Sequence, residues 1–319
     1  MSTNKPTLSI VTATLGKFTD DWLCQLLNIK GSVEFILVYP PGIKYRDINE
    51  PRIKFITSPY KGEVMQRFTG LLNAQAEYVL ALDDDDFIHP DVLQLVNQYF
   101  QIFPESWVLR LKSINIDTTN EAKIQEPWGE IPDLSLLDLE TKNPDASYSF
   151  KNNPSQKLLE IPITPIDKKF DIRYAIWPFM KRTDHQGRHM ENFNTKVWKN
   201  ELVQKAIPTF SQTTKLWEMK MAGALAWIPS WNLDRSLCLF IQAQLYEKDI
   251  MIGHWMATPE QVRFLEKPLA TKEPRILLAA DALLVKKFPQ YGYFWNLFFY
   301  QVYTLPRTFG KAIKMSLFK

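Results

Sequence analysis

Cysteine is scarce in this chain, which has only two, Cys24 and Cys238, among 319 residues. Both fall in apolar helical patterns, so we expect buried thiols in a reducing compartment and neither a disulfide framework nor a zinc site. No run reaches the ~18 apolar residues that a membrane span requires. The N-terminal residues also lack the apolar core of a secretory signal. These absences predict a globular protein of the cytoplasm.

A strong excess of charge is also missing, because the formal net charge is only +3. The chain is 45% hydrophobic and 23% charged, which is typical of one large α/β domain or two closely joined ones. No basic run with interleaved aromatics is present, so we expect no nucleic-acid partner. A glycine-rich phosphate loop is lacking too, since Thr14-Leu-Gly-Lys17 is too short for one.

Strand and helix patterns alternate through the first hundred residues. Buried-strand patterns and helical spacing of apolar residues follow one another in the order 8–13, 19–27, 33–39, 53–57, 64–72, 78–82 and 92–103. Such alternation predicts a largely parallel sheet covered by helices.

Four consecutive carboxylates, Asp83 to Asp86, follow the apolar strand pattern at 78–82, and a helix start is predicted at Pro90. Open α/β sheets bind ligands beyond the carboxyl ends of their strands. The carboxylates would repel one another unless a cation lay among them. Oxygen ligands suit Mg²⁺ or Mn²⁺, which shares its shell with substrate phosphates. The alternative is a solvated acidic turn that caps the next helix.

Three segments together resemble the nucleotide-binding half of family 2 glycosyltransferases of the GT-A fold: residues 9–14, 62–70 and 77–86. The resemblance covers residues 7 to about 103. It implies an α/β fold with a GT-A (Rossmann-like), mostly parallel sheet flanked by helices. A helical, aromatic C-terminal segment would follow this sheet.

The resemblance also implies roles for single residues. Those expected at the nucleotide sugar are Thr12, Thr14, Arg67, Asp83 and Asp84. Those expected to hold Mn²⁺ or Mg²⁺ are Asp85, Asp86 and His254, although a lone histidine is as often structural.

The chain departs from the family after its second strand pattern. Tyr39-Pro-Pro-Gly42 stands where members usually carry an acidic residue that reads the base, so a uridine preference does not carry over. Tyr39 could stack on a base, or the prolines could shape a turn, which is the favoured interpretation.

Candidates for a catalytic base lie in the second half of the chain. Asp234 precedes a helical stripe, where a carboxylate also serves as an N-cap. The family resemblance, with Gly223 in the preceding loop, implies a general base at Asp234, although Leu233 replaces the usual glutamate; Glu218 is the reserve candidate. Residues 113–195 have little periodicity, and His185 and His189 within them are interpreted as part of a polar loop.

The last segment, residues 291–319, is densely aromatic and ends in cations. It could lie in a membrane interface on the cytoplasmic face, or it could pack as a helix on the catalytic domain. A membrane position would suit a lipid-linked acceptor; otherwise we expect a saccharide acceptor.

The sequence therefore predicts a nucleotide-sugar-binding half at 1–112, an acceptor and catalytic half at 113–290, and a tail at 291–319. The predicted function is metal-dependent transfer of a sugar from a nucleotide-diphosphate sugar to an acceptor hydroxyl. Inversion is implied by the resemblance, and the absent Q-x-x-R-W pattern favours a single transfer over polymerisation. The alternatives are a nucleotidyltransferase of related fold and a catalytically silent binding or scaffold protein.

Overall fold

The computed structural model describes residues 5–141, 157–177, 189–218, 233–266 and 278–317. The chain divides into two units, and each is assembled from separate stretches of sequence. The first unit holds residues 1–162, 194–205 and 251–270, and the second holds 163–193, 206–250 and 271–319. The predicted division at residues 112 and 290 stays a prediction.

A nine-stranded sheet forms the centre of the first unit, in the strand order β3-β2-β1-β4-β10-β6-β11-β9-β8 among the described residues. Its strands are β1 (Leu8–Ala13), β2 (Val33–Tyr39), β3 (Ile53–Thr57), β4 (Tyr78–Ala81), β6 (Val108–Arg110), β8 (Asp138–Glu140), β9 (Lys157–Pro162), β10 (Lys196–Lys199) and β11 (Met251–Trp255). A second sheet has the order β5-β12-β7, from Asp86–Ile88, Val262–Glu266 and Ser113–Asp117.

Most of the large sheet is parallel, which confirms the predicted fold class. β3, β2, β1 and β4 pair in parallel, β10 is antiparallel to both β4 and β6, and β11 is parallel to β6. The carboxyl ends of β1, β4, β6 and β11 therefore lie at the same edge of the sheet. Ligands of open α/β sheets bind beyond this edge.

The α-helices that lie wholly in the described part of the first unit are α1 (Asp20–Leu27), α2 (Glu63–Asn73), α3 (Val92–Ile102) and α4 (Glu121–Ile124). α1 begins as predicted, because the Thr19 side chain accepts a hydrogen bond from Trp22 N at 3.0 Å. Its buried Trp22 and Leu26 join the core formed by one face of the sheet and α3. The strand and helix patterns predicted between residues 8 and 82 are all present.

The predicted helix start at Pro90 is wrong by two residues. The chain remains extended through β5, whose Ile88 pairs with Val262 of β12, and α3 begins only at Val92. This pairing partner lies far away in sequence, so the local pattern gave no sign of it. The prediction of an irregular segment at 113–195 is also wrong in part, because β7, β8, β9 and the short helix α4 fall within its described residues.

The second unit is helical in its described residues. Its helices are α5 (Arg173–Ile176), most of α6 (Asn200–Glu218), α7 (Leu233–Gln244), α8 (Leu278–Lys287) and α9 (Gly292–Leu317). α9 buries Tyr293, Phe294 and Leu297, which supports the packed-helix alternative for the start of the tail. No helix in the described part of the chain is both long enough and apolar enough to cross a bilayer.

The two cysteines differ in burial. Cys238 is buried in α7, whereas Cys24 is exposed on α1, so the expectation of two buried thiols is wrong for Cys24. The apolar stripe of α1 faces the core through Trp22 and Leu26, and Cys24 lies between them in sequence on the opposite side. Helical periodicity alone does not tell on which side of the stripe a small residue points.

Candidate functional site

The acidic run forms a tight turn directly after β4. Asp86 N donates to Asp83 O at 3.2 Å, so the four residues close a turn at the carboxyl edge of the sheet. One carboxylate oxygen from each of Asp83, Asp85 and Asp86 lies within 4.8 Å of the others. We call residues 83–86 the acidic turn. Carboxylates that converge at this spacing could share one hard divalent cation.

Burial and mutual repulsion raise the pKa values of two carboxyl groups in the acidic turn, Asp84 and Asp86. Burial, followed by the charges of Asp83 and Asp85, raises the pKa of Asp86 to about 8. Burial also raises the pKa of Asp84, and the hydrogen bond from Thr14 opposes that effect. A positive charge placed among these groups would favour their ionised forms. The donor set therefore fits Mg²⁺ or Mn²⁺, which both prefer oxygen ligands.

The loop after β1 contacts the acidic turn through Thr14. Its hydroxyl donates to Asp84 Oδ2 at 2.5 Å and accepts from Gly16 N at 2.9 Å. Gly16 has a φ of +74°, the left-handed region that favours glycine. The predicted residue Thr12 is fully buried, and its Oγ1 has no hydrogen-bond partner among the described residues. Two of the predicted nucleotide-sugar residues, Thr14 and Asp84, are thus brought into direct contact.

α2 carries Arg67 to the same turn. Arg67 forms an ion pair with Asp83, and its Nε donates to Glu63 Oε1 at 2.9 Å. The Arg67 side chain is only 5% exposed, whereas Asp83 is 47% exposed. Hydrogen bonds between charged groups are stronger than neutral ones, and this one holds the Asp83 carboxylate in place. The structure therefore brings together the predicted Arg67 and Asp83.

Sequence reasoning missed two residues that hold this site in shape. Gln66 Nε2 donates to Thr14 O at 2.9 Å and to Val38 O at 2.6 Å, which ties the loop after β1 to β2. Trp22 Nε1 donates to Asp86 O at 2.9 Å and ties the acidic turn to α1. Gln66 is a polar residue next to Arg67 on the buried side of the amphipathic helix α2. A polar residue in such a position was the signal from which its role could have been predicted.

Tyr39 ends β2 as a completely buried side chain. Its ring lies 5.0 Å from the Tyr45 ring, and a Cβ built on Gly16 would lie 2.9 Å from Tyr39 Cε1. Ile43 N donates to Pro40 O at 3.4 Å across a turn with Gly42 at a φ of +87°. The favoured interpretation of this segment as a turn is therefore correct, and in this arrangement the Tyr39 ring has no exposed face for a base.

His254 lies in β11, on the side of the sheet that packs against α3. Its Nδ1 is 2.8 Å from the Tyr99 hydroxyl, and its ring centroid is 4.4 Å from that of Phe103. Burial lowers the pKa of His254 to about 4, so the ring is neutral at pH 7. The converging ligand atoms come from the acidic turn and do not include this histidine. Its role as a metal ligand stays a prediction.

Asp234 lies in the first turn of α7, in the second unit, and is partly buried. Its backbone carbonyl accepts from Phe193 N at 3.1 Å. The neighbouring Arg235 pairs with Glu191 at 3.1 Å and with the buried Asp281 at 3.4 Å, which anchors the start of the helix. The predicted Gly223 lies outside the described residues, and only the backbone of Glu218, the last residue of α6, is described.

The histidine pair of the second half is only partly described. His189 lies in a non-helical segment, as predicted for a polar loop, but it is buried, and its Nε2 is 2.9 Å from the Tyr293 hydroxyl. His185 lies outside the described residues. His189 therefore takes part in the packing of α9 in the second unit.

Residues 42–157 match the family model described as Glycosyl transferase family 2. The chain is similar to family 2 glycosyltransferases. The match includes α2 and the acidic turn, confirms the predicted resemblance, and supports glycosyl transfer as the enzyme class. β1, with Thr12 and Thr14, lies before the matched residues. No curated protein matches the chain.

Solved structures of TarS from S. aureus are distantly similar. TarS 1–349 in complex with UDP-GlcNAc has 14% identity and a TM-score of 0.49, over 88% of this chain and 66% of that one. The complex of TarS 1–349 with UDP has 14% identity and a TM-score of 0.48, over 89% and 66%. The longer TarS structure is covered over only 40% of its length, with 13% identity and a TM-score of 0.49. Similarity at this level carries no conclusion about substrate.

Proposed function

We propose that this chain is a metal-dependent, inverting and non-processive glycosyltransferase that uses a nucleotide-diphosphate sugar. The observation that carries the proposal is the acidic turn, where carboxylates of Asp83, Asp85 and Asp86 converge within 4.8 Å at the carboxyl edge of a parallel sheet. This turn lies inside the residues that match the family 2 model. A parallel sheet presents its ligand site at this edge.

Asp85 and Asp86 would hold Mn²⁺ or Mg²⁺, with Asp83 as the third nearby carboxylate. When bound, such an ion neutralises the charge that develops on the departing diphosphate. Asp83 would orient a ribose or sugar hydroxyl, since Arg67 already fixes the position of its carboxylate. Thr14, held by Asp84 and Gly16, would line the nucleotide together with Thr12.

Asp234 would act as the general base that accepts the proton of the attacking acceptor hydroxyl. Asp234 lies in the first turn of α7, and a base must lie within hydrogen-bond reach of the hydroxyl that it deprotonates. The anomeric carbon passes through an oxocarbenium-like state, and attack opposite the leaving group inverts its configuration. Retention of anomeric configuration in the NMR spectrum of the product would disprove inversion.

The first experiment is a binding screen of the intact protein against UDP, GDP, dTDP, CMP and ATP, each with and without Mn²⁺. A ligand that binds only the folded state raises the melting temperature by mass action. We expect a metal-dependent shift with one nucleoside diphosphate that is lost in Asp85→Asn. Asp138→Asn is the matched control, because Asp138 is an exposed aspartate on β8.

The other outcomes of this screen identify the alternative functions. A shift with ATP alone, followed by pyrophosphate release from a nucleoside triphosphate, would establish nucleotidyl transfer instead. No shift with any nucleotide would support a silent scaffold. A shift that survives Asp85→Asn would place nucleotide binding outside the acidic turn.

Contact with a membrane interface is proposed for the end of α9, in support of a lipid-linked rather than a free saccharide acceptor. Ile313 and Lys314 are both exposed there, an apolar and a cationic side chain next to each other. The start of α9 is buried, so removing the whole of 291–319 would damage the second unit. A chain ending at Pro306 tests the idea instead: it should lose flotation with anionic liposomes, and equal flotation would disprove it.

A further inference from the structure

Exposed apolar side chains cluster around α5 in the second unit. Ile172 and Ile176 are 58% and 68% exposed, and Phe170 and Trp177, close to them in sequence, are exposed as well. This is the densest group of exposed large apolar side chains in the part of the chain that the structure describes. We call these four residues the apolar patch. Single exposed apolar residues are normal on a globular protein, whereas a group of them marks an interaction surface.

The two isoleucines of the apolar patch project from the same side of one helical turn. Ile176 N donates to Ile172 O at 3.2 Å, and residues four apart in a helix lie on one face. Tyr174, between them in sequence, is buried and therefore takes the side that faces the protein. The outward direction of Ile172 and Ile176 is thus a consequence of how this turn is anchored.

The start of α9 and the turn after it hold α5 in place. Asp171 N donates to Asn296 Oδ1 at 2.9 Å, just before the helical turn. At its far end the Tyr303 hydroxyl donates to Ala175 O. Both ends of the α5 segment are therefore bonded to a single long helix, so the apolar patch is presented from a fixed support.

α9 continues the apolar surface beyond the patch. The ring centroids of Phe170 and Phe299 are 5.6 Å apart, so aromatic side chains of the two segments are in contact. Every residue of α9 from 298 to 305 is only half-buried, although most of them are aromatic or aliphatic. The exposed Ile313 follows ten residues after Tyr303, about 15 Å farther along the helix. The apolar surface therefore extends along α9.

Cationic side chains border the apolar patch. Lys168 and Lys169 are both exposed immediately before Phe170. The acidic side chains of the same segment are bound within the protein. Asp171 accepts from Arg173 Nη2 at 2.7 Å, and the carboxyl group of Asp167 is hydrogen-bonded to the Tyr246 hydroxyl. An exposed apolar surface beside exposed lysines is the composition of a segment that lies in a membrane interface.

We propose that the apolar patch, together with the half-buried part of α9, docks the second unit on an anionic lipid bilayer. The apolar side chains would enter the boundary between headgroups and acyl chains, and Lys168 and Lys169 would lie at the lipid phosphates. A second copy of the chain fits less well, because a symmetric dimer would set this face against itself and bring its lysines together.

This surface extends the membrane contact proposed for the end of α9, and it rests on that part of the proposed function for the kind of partner. Two separate contacts suit a peripheral protein, because a single small apolar contact binds a bilayer only weakly and reversibly. Loss of either contact should therefore weaken attachment. The inference does not depend on glycosyl transfer.

The test is flotation of the full chain with vesicles of phosphatidylcholine and phosphatidylglycerol at increasing lipid concentration, which gives a partition coefficient. We expect a variant with both Ile172→Ser and Ile176→Ser to bind at least about tenfold more weakly, because two apolar side chains lose their contact with the bilayer. Both isoleucines are exposed, so the melting temperature should stay that of the wild type. Leu136→Ser is the matched control, since Leu136 is an 81% exposed leucine of the first unit.

The lysines are tested by a variant with both Lys168→Gln and Lys169→Gln. It should bind the anionic vesicles about tenfold more weakly and behave as the wild type with phosphatidylcholine alone. The matched control is Lys286→Gln with Lys287→Gln, which removes the same charge from two exposed lysines of α8 in the same unit. The lysine variant leaves the apolar patch intact, so the test remains valid if the serine variant does not fold.

The proposal is overturned if the wild type does not bind the anionic vesicles, or if the serine and glutamine variants bind them as the wild type does. A wild type that sediments as a dimer, with a monomeric serine variant and equal vesicle binding, would instead assign the patch to an interface between copies. Full binding of the α5 variants, with loss of binding in the chain ending at Pro306, would leave only the contact at the end of α9. The nucleotide screen tests the proposed activity separately.

Discussion

Arg67 is an almost completely buried guanidinium that forms an ion pair with the half-exposed carboxylate of Asp83. It also donates to Glu63 within the same helix at 2.9 Å. This pair joins α2 to the acidic turn, so the carboxylates there are held by a neighbouring helix as well as by their own turn. The Arg67–Asp83 pair therefore stabilises the fold and also fixes a carboxylate of the candidate metal site.

We expect Arg67→Gln to lower the free energy of unfolding by about 2 kcal/mol, because hydrogen bonds to charged groups are lost from a buried position. Urea denaturation measures this change. Arg173→Gln is the matched control, since its side chain is 69% exposed and a solvent-exposed pair such as that with Asp171 contributes little to stability. Equal losses in the two variants would contradict a structural role for the Arg67 pair.

We expect the protein to lose stability in mild acid, because His89 is buried in a site that suits its neutral form. Its Nε2 lies 2.9 Å from Gly129 O and its Nδ1 accepts from Asp91 N at 3.0 Å, an arrangement that suits the neutral ring. Burial lowers the pKa of His89; Lys30 and Arg263 act in the same direction, and Gly129 O and Asp91 oppose it. The folded protein therefore binds the proton less readily than the unfolded chain.

The contribution of His89 is present above the unfolded pKa of about 6.5 and is lost as the pH falls through the lower folded value. We expect the stability difference between wild type and His89→Gln to shrink from pH 8 to pH 5. Urea midpoints at each pH measure it, and subtracting the two curves removes the contribution of the other histidines. A constant difference across this range would mean that His89 does not titrate with folding.

The first hundred residues were predictable because strands buried on both faces and amphipathic helices each leave a local pattern. β1, β2 and α2 could be placed from that pattern alone. β5 could not, because it exists only through its pairing with β12, more than a hundred residues later. Local periodicity carries no record of such a partner.

The candidate site divides in the same way. Asp83–Asp86 could be predicted because four carboxylates after an apolar strand are a local feature. The roles of Trp22 and Gln66 at this site were missed because their hydrogen bonds join segments that are far apart in sequence. At Tyr39 the local sequence correctly predicted a turn. It could not predict the burial of the ring against Tyr45, which depends on packing between separate segments.

Asp234 can be tested as a base against a purely structural role at the start of α7. It lies in the first turn of the helix rather than at the N-cap, so Asp234→Asn removes a favourable interaction with the helix dipole and should change the melting temperature little. If Asp234 is the base, the same variant should lose about 10²–10⁴-fold in kcat. Binding of the nucleoside diphosphate, measured by titration, should be unchanged, because a base on the acceptor side contributes nothing to it. Full activity in Asp234→Asn would leave only the structural role.

Substitution of Gly16, in the loop that holds Thr14, can be compared with the same substitution of Gly42 as a matched control. Both have positive φ, +74° and +87°, so alanine should cost about 1–2 kcal/mol at either from backbone strain alone. A Cβ at Gly16 would lie 2.9 Å from Tyr39 Cε1, whereas a Cβ at Gly42 has nothing within 4 Å. Gly16→Ala should therefore lose about 1–3 kcal/mol more in urea denaturation. Because Gly16 N also donates to Thr14 Oγ1, this variant alone should weaken nucleotide binding. Equal losses of stability at both positions would show that Tyr39 moves aside without cost and does not constrain the loop.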